Sequence, residues 1–302
     1  MALFFSIICA TYLVVCFKYF QQFGIKNLPA IVFNYITCVC TGLMMTDTVP
    51  DSSIIYEPWF PVAATLGCCF FCIFNVMGFV ARNIGLTMTS VSSKLSMVIP
   101  VSVAILFYDQ QFTVIKAVAI GLAIVAVILT SERSTDSAEA EAGKPAIAHP
   151  ATFMHSKTFG VLMALIIFLG SGLNDSLVNY ASEKLMEPSD FNNFNIVIFS
   201  FASLSGIAVL LFRFFRHREL PAPKAILGGI LLGIPNYFSL LFLIEALNYP
   251  GWASSVIFPV NNMGIVILTA VAAVILFREK LSILNWTGMG IAIVSIALLI
   301  FA

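Results

Sequence analysis

The chain has 302 residues, of which 60% are hydrophobic and only 10% charged, with a mean hydropathy of +1.00. A soluble domain carries about 25% charged residues because its surface faces water, so this composition excludes an ordinary soluble fold and requires apolar surface to face lipid. Fifteen Lys and Arg balance fifteen Asp and Glu, which removes any global attraction to nucleic acid.

A helix needs about 20 apolar residues to cross the hydrocarbon core of a bilayer. In chain order, runs of that kind fall at Leu3–Phe20, Leu28–Met45, Phe60–Val80, Leu86–Phe107 and Phe112–Thr130, then at Phe159–Tyr180, Phe191–Phe212, Ala225–Leu247, Trp252–Phe277 and Ile283–Phe301. The first, within MALFFSIICATYLVVCF, lacks a basic leader and an Ala-x-Ala cleavage site, so it is read as a span rather than a signal peptide. Most connections are short. The exception, residues 131–157, is rich in Ser, Ala, Glu and Pro and is expected to be a flexible polar linker. The sequence therefore predicts an all-α integral membrane protein of ten transmembrane helices. Residues 1–130 form a first five-helix repeat and residues 158–302 a second, together making one membrane domain.

The cationic residues predict an orientation. The odd-numbered connections and adjoining helix ends hold Lys18, Lys26, Arg82, Arg133, Lys144, Lys157, Arg213, Arg216, Arg218, Lys224, Arg278 and Lys280, whereas the even-numbered ones hold only Lys116 and Lys184. Cytoplasmic loops carry the lysine and arginine excess, which places both termini outside.

Weak self-similarity joins the halves. Lys18-Tyr19 answers Asn179-Tyr180, Phe33-Asn34 answers Phe194-Asn195, and Ile73-x-Asn75 answers Ile234-x-Asn236, all at an offset of 161 residues. Pro100-Val101 answers Pro259-Val260 at 159, after which Asp109 corresponds to Glu279 and Ile120-Gly121 to Met289-Gly290. Because each half holds an odd number of spans, the second enters the membrane in the opposite sense. Inverted repeats of this kind mark alternating-access secondary transporters.

The fourth span runs Ser92-Ser93-Lys94-Leu95-Ser96-Met97-Val98-Ile99-Pro100-Val101 to Asp109, and the ninth runs Ser254-Ser255-Val256-Ile257-Phe258-Pro259-Val260 to Glu279. The tenth opens with Gly288-Met289-Gly290. This pattern of proline, acid and glycine resembles the EamA-type branch of the drug/metabolite transporter superfamily. The resemblance implies ten helices in two inverted halves. Two departures stand out: nine residues separate Pro100 from Asp109 against twenty between Pro259 and Glu279, and the fourth span carries a lysine.

Polar side chains inside the spans are the candidate site, because lipid offers them no partners. Lys94 lies deep in the fourth span, where a central lysine costs about 2.5–3.5 kcal/mol on insertion scales. It is expected either to contact an anionic group in a hydrated cavity or to form a structural ion pair. Asp175 is its expected partner; the two would exchange partners during transport, with a proton or an exchanged metabolite as the coupling species. Asn179 lies one helical turn from Asp175 on the same face. Asn34, Asn75, Asn195 and Asn236 occupy repeat-equivalent positions and suit either substrate binding or interhelical hydrogen bonds. Asn261 and Asn262 follow Pro259, where a broken helix would free backbone carbonyls for a ligand.

Seven cysteines, Cys9, Cys16, Cys38, Cys40, Cys68, Cys69 and Cys72, sit in apolar runs and are expected to pack rather than bind metal. Neither a metal nor another cofactor is expected. No histidine lies within a span, and the HExxH, Gly-x-Gly-Asp and ATP-binding Gly-x-x-x-x-Gly-Lys-[Ser/Thr] motifs are absent. A receptor or scaffold, and then a membrane enzyme, remain as alternatives to a transporter. Phosphate-sugar relatives in the superfamily place basic residues on the ninth helix, where this chain has Asn261 and Asn262. That difference favours amino acids or related small organic acids, carried as an exporter or exchanger in the plasma membrane.

Overall fold

The computed structural model describes residues 1–46, 51–83, 92–107, 113–131, 157–218, 220–278 and 281–300. The expected linker, apart from its end residues, lies outside them, as do Asp109 and Glu279. Ten helices follow one another among the described residues: α1 (Ala2–Gln22), α2 (Asn27–Met44), α3 (Phe60–Asn83), α4 (Val98–Phe107), α5 (Val114–Ser131), α6 (Lys157–Lys184), α7 (Phe191–His217), α8 (Pro223–Leu247), α9 (Ser254–Phe277) and α10 (Ile283–Ile300). Short 3-10 turns at Ser52–Tyr56 and Pro188–Asp190 lead towards α3 and into α7. Seven helices are long and apolar enough to span a bilayer, and three more are shorter but equally apolar. Large side chains such as Leu165, Leu169, Leu204, Leu227 and Ile293 are exposed along them. In water that surface would be costly, whereas in hydrocarbon it is solvated. The chain is a multi-pass membrane protein.

The fourth span differs from the expected continuous helix. Residues 92–95 are helical, Ser96 and Met97 form a turn, and α4 resumes at Val98. Proline explains the break. Pro100 has no N–H to return to the Ser96 carbonyl four residues earlier, and that carbonyl accepts from Ile99 N at 2.9 Å in a tightened turn. The Ser96 hydroxyl adds a bond to Ser93 O at 2.6 Å. By contrast α9 runs unbroken through Pro259, and α8 through Pro235. The helix break expected at Pro259 is therefore absent; it occurs at the preceding half's counterpart instead.

Two compact units can be distinguished, and three helices run from one into the other. The first comprises Met1–Asn75 with Asn174–Ile257. Within it α8 packs along α1 and α2, and α2 packs on α7. Gly229 and Gly233, spaced four apart, bring α8 so close to α2 that a Cβ on either would strike backbone or Cβ atoms between Ala30 and Thr37. This is small-residue packing, in which van der Waals contact replaces a hydrophobic drive that lipid cannot supply. Gly42 meets Ile196 and Gly206 meets Val32, so α2 and α7 run antiparallel. Tyr35, Phe71, Phe199 and Tyr237 form the buried centre of this unit.

The second unit comprises Val76–Leu173 with Phe258–Ala302. Its main contact is α5 on α10. Ala123, Ala126 and Val127 meet Ala292, with Met97 and Met263 completing the cluster. The Ser295 hydroxyl donates to Ala119 O at 2.7 Å and Asn285 Nδ2 to Leu129 O at 3.2 Å, which makes this pair antiparallel too. Ser282 and Asn285 cap α10 reciprocally: Ser282 N and Oγ donate to Asn285 Oδ1, and Asn285 N donates to Ser282 Oγ.

Candidate functional site

In the second unit the break in the fourth span sets Lys94 just before the turn at Ser96. Its ammonium donates to Asn262 Oδ1 on α9 at 3.1 Å. Asn262 Nδ2 in turn donates to Phe258 O one turn back at 3.2 Å, which fixes the amide with its oxygen towards the lysine. That back-bond uses part of the polar capacity near Pro259. Asn261 and Asn262 are 8% and 9% exposed, so this is a polar group within an apolar wall. An ammonium has three donors and no acceptor, and Asn262 engages one of the three. The arrangement can hold an anion at Lys94 while Asn262 orients the ammonium. Lys116, counted above with a connection, is buried in the first turn of α5, 9% exposed.

The other candidates lie in the first unit. Asn236 Nδ2 donates to Asn34 Oδ1 at 3.2 Å, joining α8 to α2 where the glycines bring the helices together. The Cys38 thiol lies beside the same pair, donating to Gly233 O at 3.2 Å. Asn75 does not join them: its Nδ2 donates to Phe71 O of its own helix at 2.7 Å. Asn195 is wholly buried, and neither amide atom has a partner among the described residues. Repeat symmetry thus puts four asparagines at matching positions, yet the structure uses them in three ways. Asp175 is half-buried on α6 within this unit.

Asn179 is also wholly buried. Its Nδ2 donates to Ser254 Oγ at 3.2 Å, and Ser254 Oγ donates to Glu183 Oε1 at 3.0 Å. Alongside, Asn248 Nδ2 donates to Ser182 Oγ at 2.7 Å. These bonds link the last turns of α6 to the end of α8 and the start of α9. The sequence reading named Asn179 but missed Ser254 and Glu183, because their link depends on three helix ends meeting. A further set was missed for the same reason: the Tyr237 hydroxyl donates to Asn192 Oδ1, and Asn192 Nδ2 donates to Thr46 Oγ1 and to Gly42 O. Tyr237 is wholly buried there.

All seven cysteines are free thiols, with Cys16 and Cys38 buried. Among the described residues no group of three His, Cys, Asp or Glu side chains is placed to hold a metal ion.

Comparison with known proteins adds three findings. An uncharacterized protein of Haemophilus influenzae is 24% identical over 297 residues, covering 95% of this chain and 93% of its own. A solved crystal structure shares the fold with a TM-score of 0.74 at 10% identity, over 98% of this chain and 94% of that one. Residues 158–301, the second half of the chain, match the model of the EamA-like transporter family.

Proposed function

We propose that this protein is a secondary active transporter, not an enzyme, that moves small amphipathic metabolites such as amino acids or related organic acids by alternating access around a midmembrane cavity. It works as an exporter or exchanger in the plasma membrane, coupled to a proton or to the exchanged metabolite, with both termini outside. The observation that carries the substrate class is the Lys94 ammonium, held by Asn262 Oδ1 at the helix break of the fourth span. A lysine within a span is costly to insert and attracts anionic groups, of which a substrate carboxylate is the simplest. Nothing basic stands at Asn261 or Asn262, which favours a singly charged carboxylate over a phosphate ester. The inverted five-helix repeat draws support from two pairings. The repeat partners α2 and α7 pack antiparallel, as do α5 and α10, and antiparallel partners are what inverted halves produce.

The test is thermal unfolding of the purified full chain against amino acids, small organic acids and phosphate esters, beside a Lys94→Ala variant. A ligand that binds only the native state raises its apparent stability. Carboxylates should raise the melting temperature of the parent and leave Lys94→Ala unmoved. Equal shifts in both proteins would make Lys94 structural and remove the carboxylate reading.

A further inference from the structure

Buried polar atoms without partners are costly in any protein and more so in a bilayer. Two of them share α6 within the first unit: Asn174 Oδ1 and Asn179 Oδ1, on residues 4% and 0% exposed, neither bonded among the described residues. For Asn179 the surrounding bonds dictate which way the amide faces. A carboxylate accepts and cannot donate, and a serine hydroxyl carries one proton. Ser254 gives that proton to Glu183, so its oxygen can face only a donor. The NH2 end of Asn179 must therefore point to Ser254, and the carbonyl end must point away. Glu183 thus sets, through Ser254, which end of the Asn179 amide is offered.

We propose that Asn179 Oδ1 is an acceptor for a primary or secondary ammonium group, so that the α6 face of the first unit recognises cationic amines or the amino group of an amino acid. This inference rests on the transporter reading above and deepens it. The chemistry favours a donor-only ligand. One turn along on the same face, the Glu183 carboxylate that accepts from Ser254 adds negative charge beside the Asn179 carbonyl. An anion would meet oxygens alone there and be repelled. A cation without N–H donors would gain only the long-range attraction and leave the Asn179 carbonyl unbonded.

The experiment measures thermal unfolding of the full chain in detergent at one pH and ionic strength, with butylammonium, tetramethylammonium or butyrate added. Butylammonium should raise the melting temperature by several degrees at saturation, with the other two at least twofold less effective at this site. Asn179→Leu, which removes the acceptor, should lose the butylammonium shift while keeping the carboxylate shift that depends on Lys94. Ser254→Ala, which frees the amide to turn, should at least halve the shift. A tetramethylammonium shift equal to that of butylammonium overturns the proposal, as does an undiminished butylammonium shift in Asn179→Leu. The carboxylate shift that depends on Lys94 is read separately. If it survives in Asn179→Leu while butylammonium has no effect on the parent, the ammonium site fails and the transporter reading stands.

Discussion

Asn195→Leu tests what an unbonded amide inside a membrane helix is for. The side chain is 0% exposed on α7, and neither its oxygen nor its nitrogen has a partner among the described residues. Leaving a buried polar group unsatisfied costs about 1–3 kcal/mol by protein mutational data. Leucine has nearly the same volume and shape and carries no such penalty. The two amide atoms share one solvation shell, so the gain expected is that of one group, about 1–3 kcal/mol, not twice that. Spread over a chain of this size it amounts to a rise of roughly 2–6 °C in melting temperature. The assay is thermal unfolding of parent and variant in the same detergent, followed by transport in proteoliposomes of whichever substrate stabilises the parent. A more stable variant that no longer transports identifies Asn195 as a residue kept for substrate, at a cost in stability. A variant that melts lower than the parent refutes the reasoning, because it means a bound water or a partner already satisfies the amide.

Three other outcomes follow from the packing and the charge pattern. Gly233→Leu should prevent close packing of α8 on α2, since a Cβ there meets Thr37 and the Asn34 carbonyl; a loss of at least about 2 kcal/mol would appear as a lower melting temperature, and unchanged stability would mean the helices can separate. Ser295→Ala should cost about 0.6 kcal/mol, the typical worth of an interhelical bond in a membrane, by removing the bond to Ala119 O; an effect several times larger would show that the α5–α10 contact is poised to slip. A reporter enzyme that is active only outside the cytoplasm, fused after Ala302, should be active, and silence there would invert the orientation drawn from the lysine and arginine count.

The helices were legible because their signal is collective. Ten apolar runs survive errors of a few residues, and their described residues proved helical apart from a few at their ends and the turn at Ser96 and Met97. The break in the fourth span was not legible, although its cause was in view. Both Pro100 and Pro259 follow small polar residues, and sequence alone cannot say which proline a helix will absorb. In the structure Pro259 is carried inside a full-length α9, whereas the Pro100 carbonyl partner is taken by Ile99 in a tightened turn. The asparagines show the same limit. Their spacing by 161 residues could be read off the chain, but whether an amide bonds across to another helix, back to its own or to nothing depends on how close the backbones come. Glycines decide that for Asn34 and Asn236, with Gly229 and Gly233 beside them.

The distribution of satisfied and unsatisfied groups bears on mechanism. In the second unit Ser295 and Asn285 tie α10 to α5 and Asn262 joins Lys94 to Phe258, while Thr269 Oγ1 on α9 is buried with no partner among the described residues. In the first unit Tyr35, Asn174, Asn179 and Asn195 each bury a polar atom with no partner among the described residues. A protein that alternates between conformations cannot satisfy every buried group in both, because a bond that holds in one state is missing in the other. Groups left unbonded in one state are therefore those with something to gain in another, from substrate, water or a shifted helix. By that reasoning α2, α6 and α7 of the first unit are candidate ligand-facing surfaces in addition to the Lys94 site of the second, and the orphaned amides rank above the bonded Asn34–Asn236 pair as sites to mutate. Replacing Asn34 or Asn236 by leucine should lower stability and transport together, whereas the same change at Asn195 should separate them.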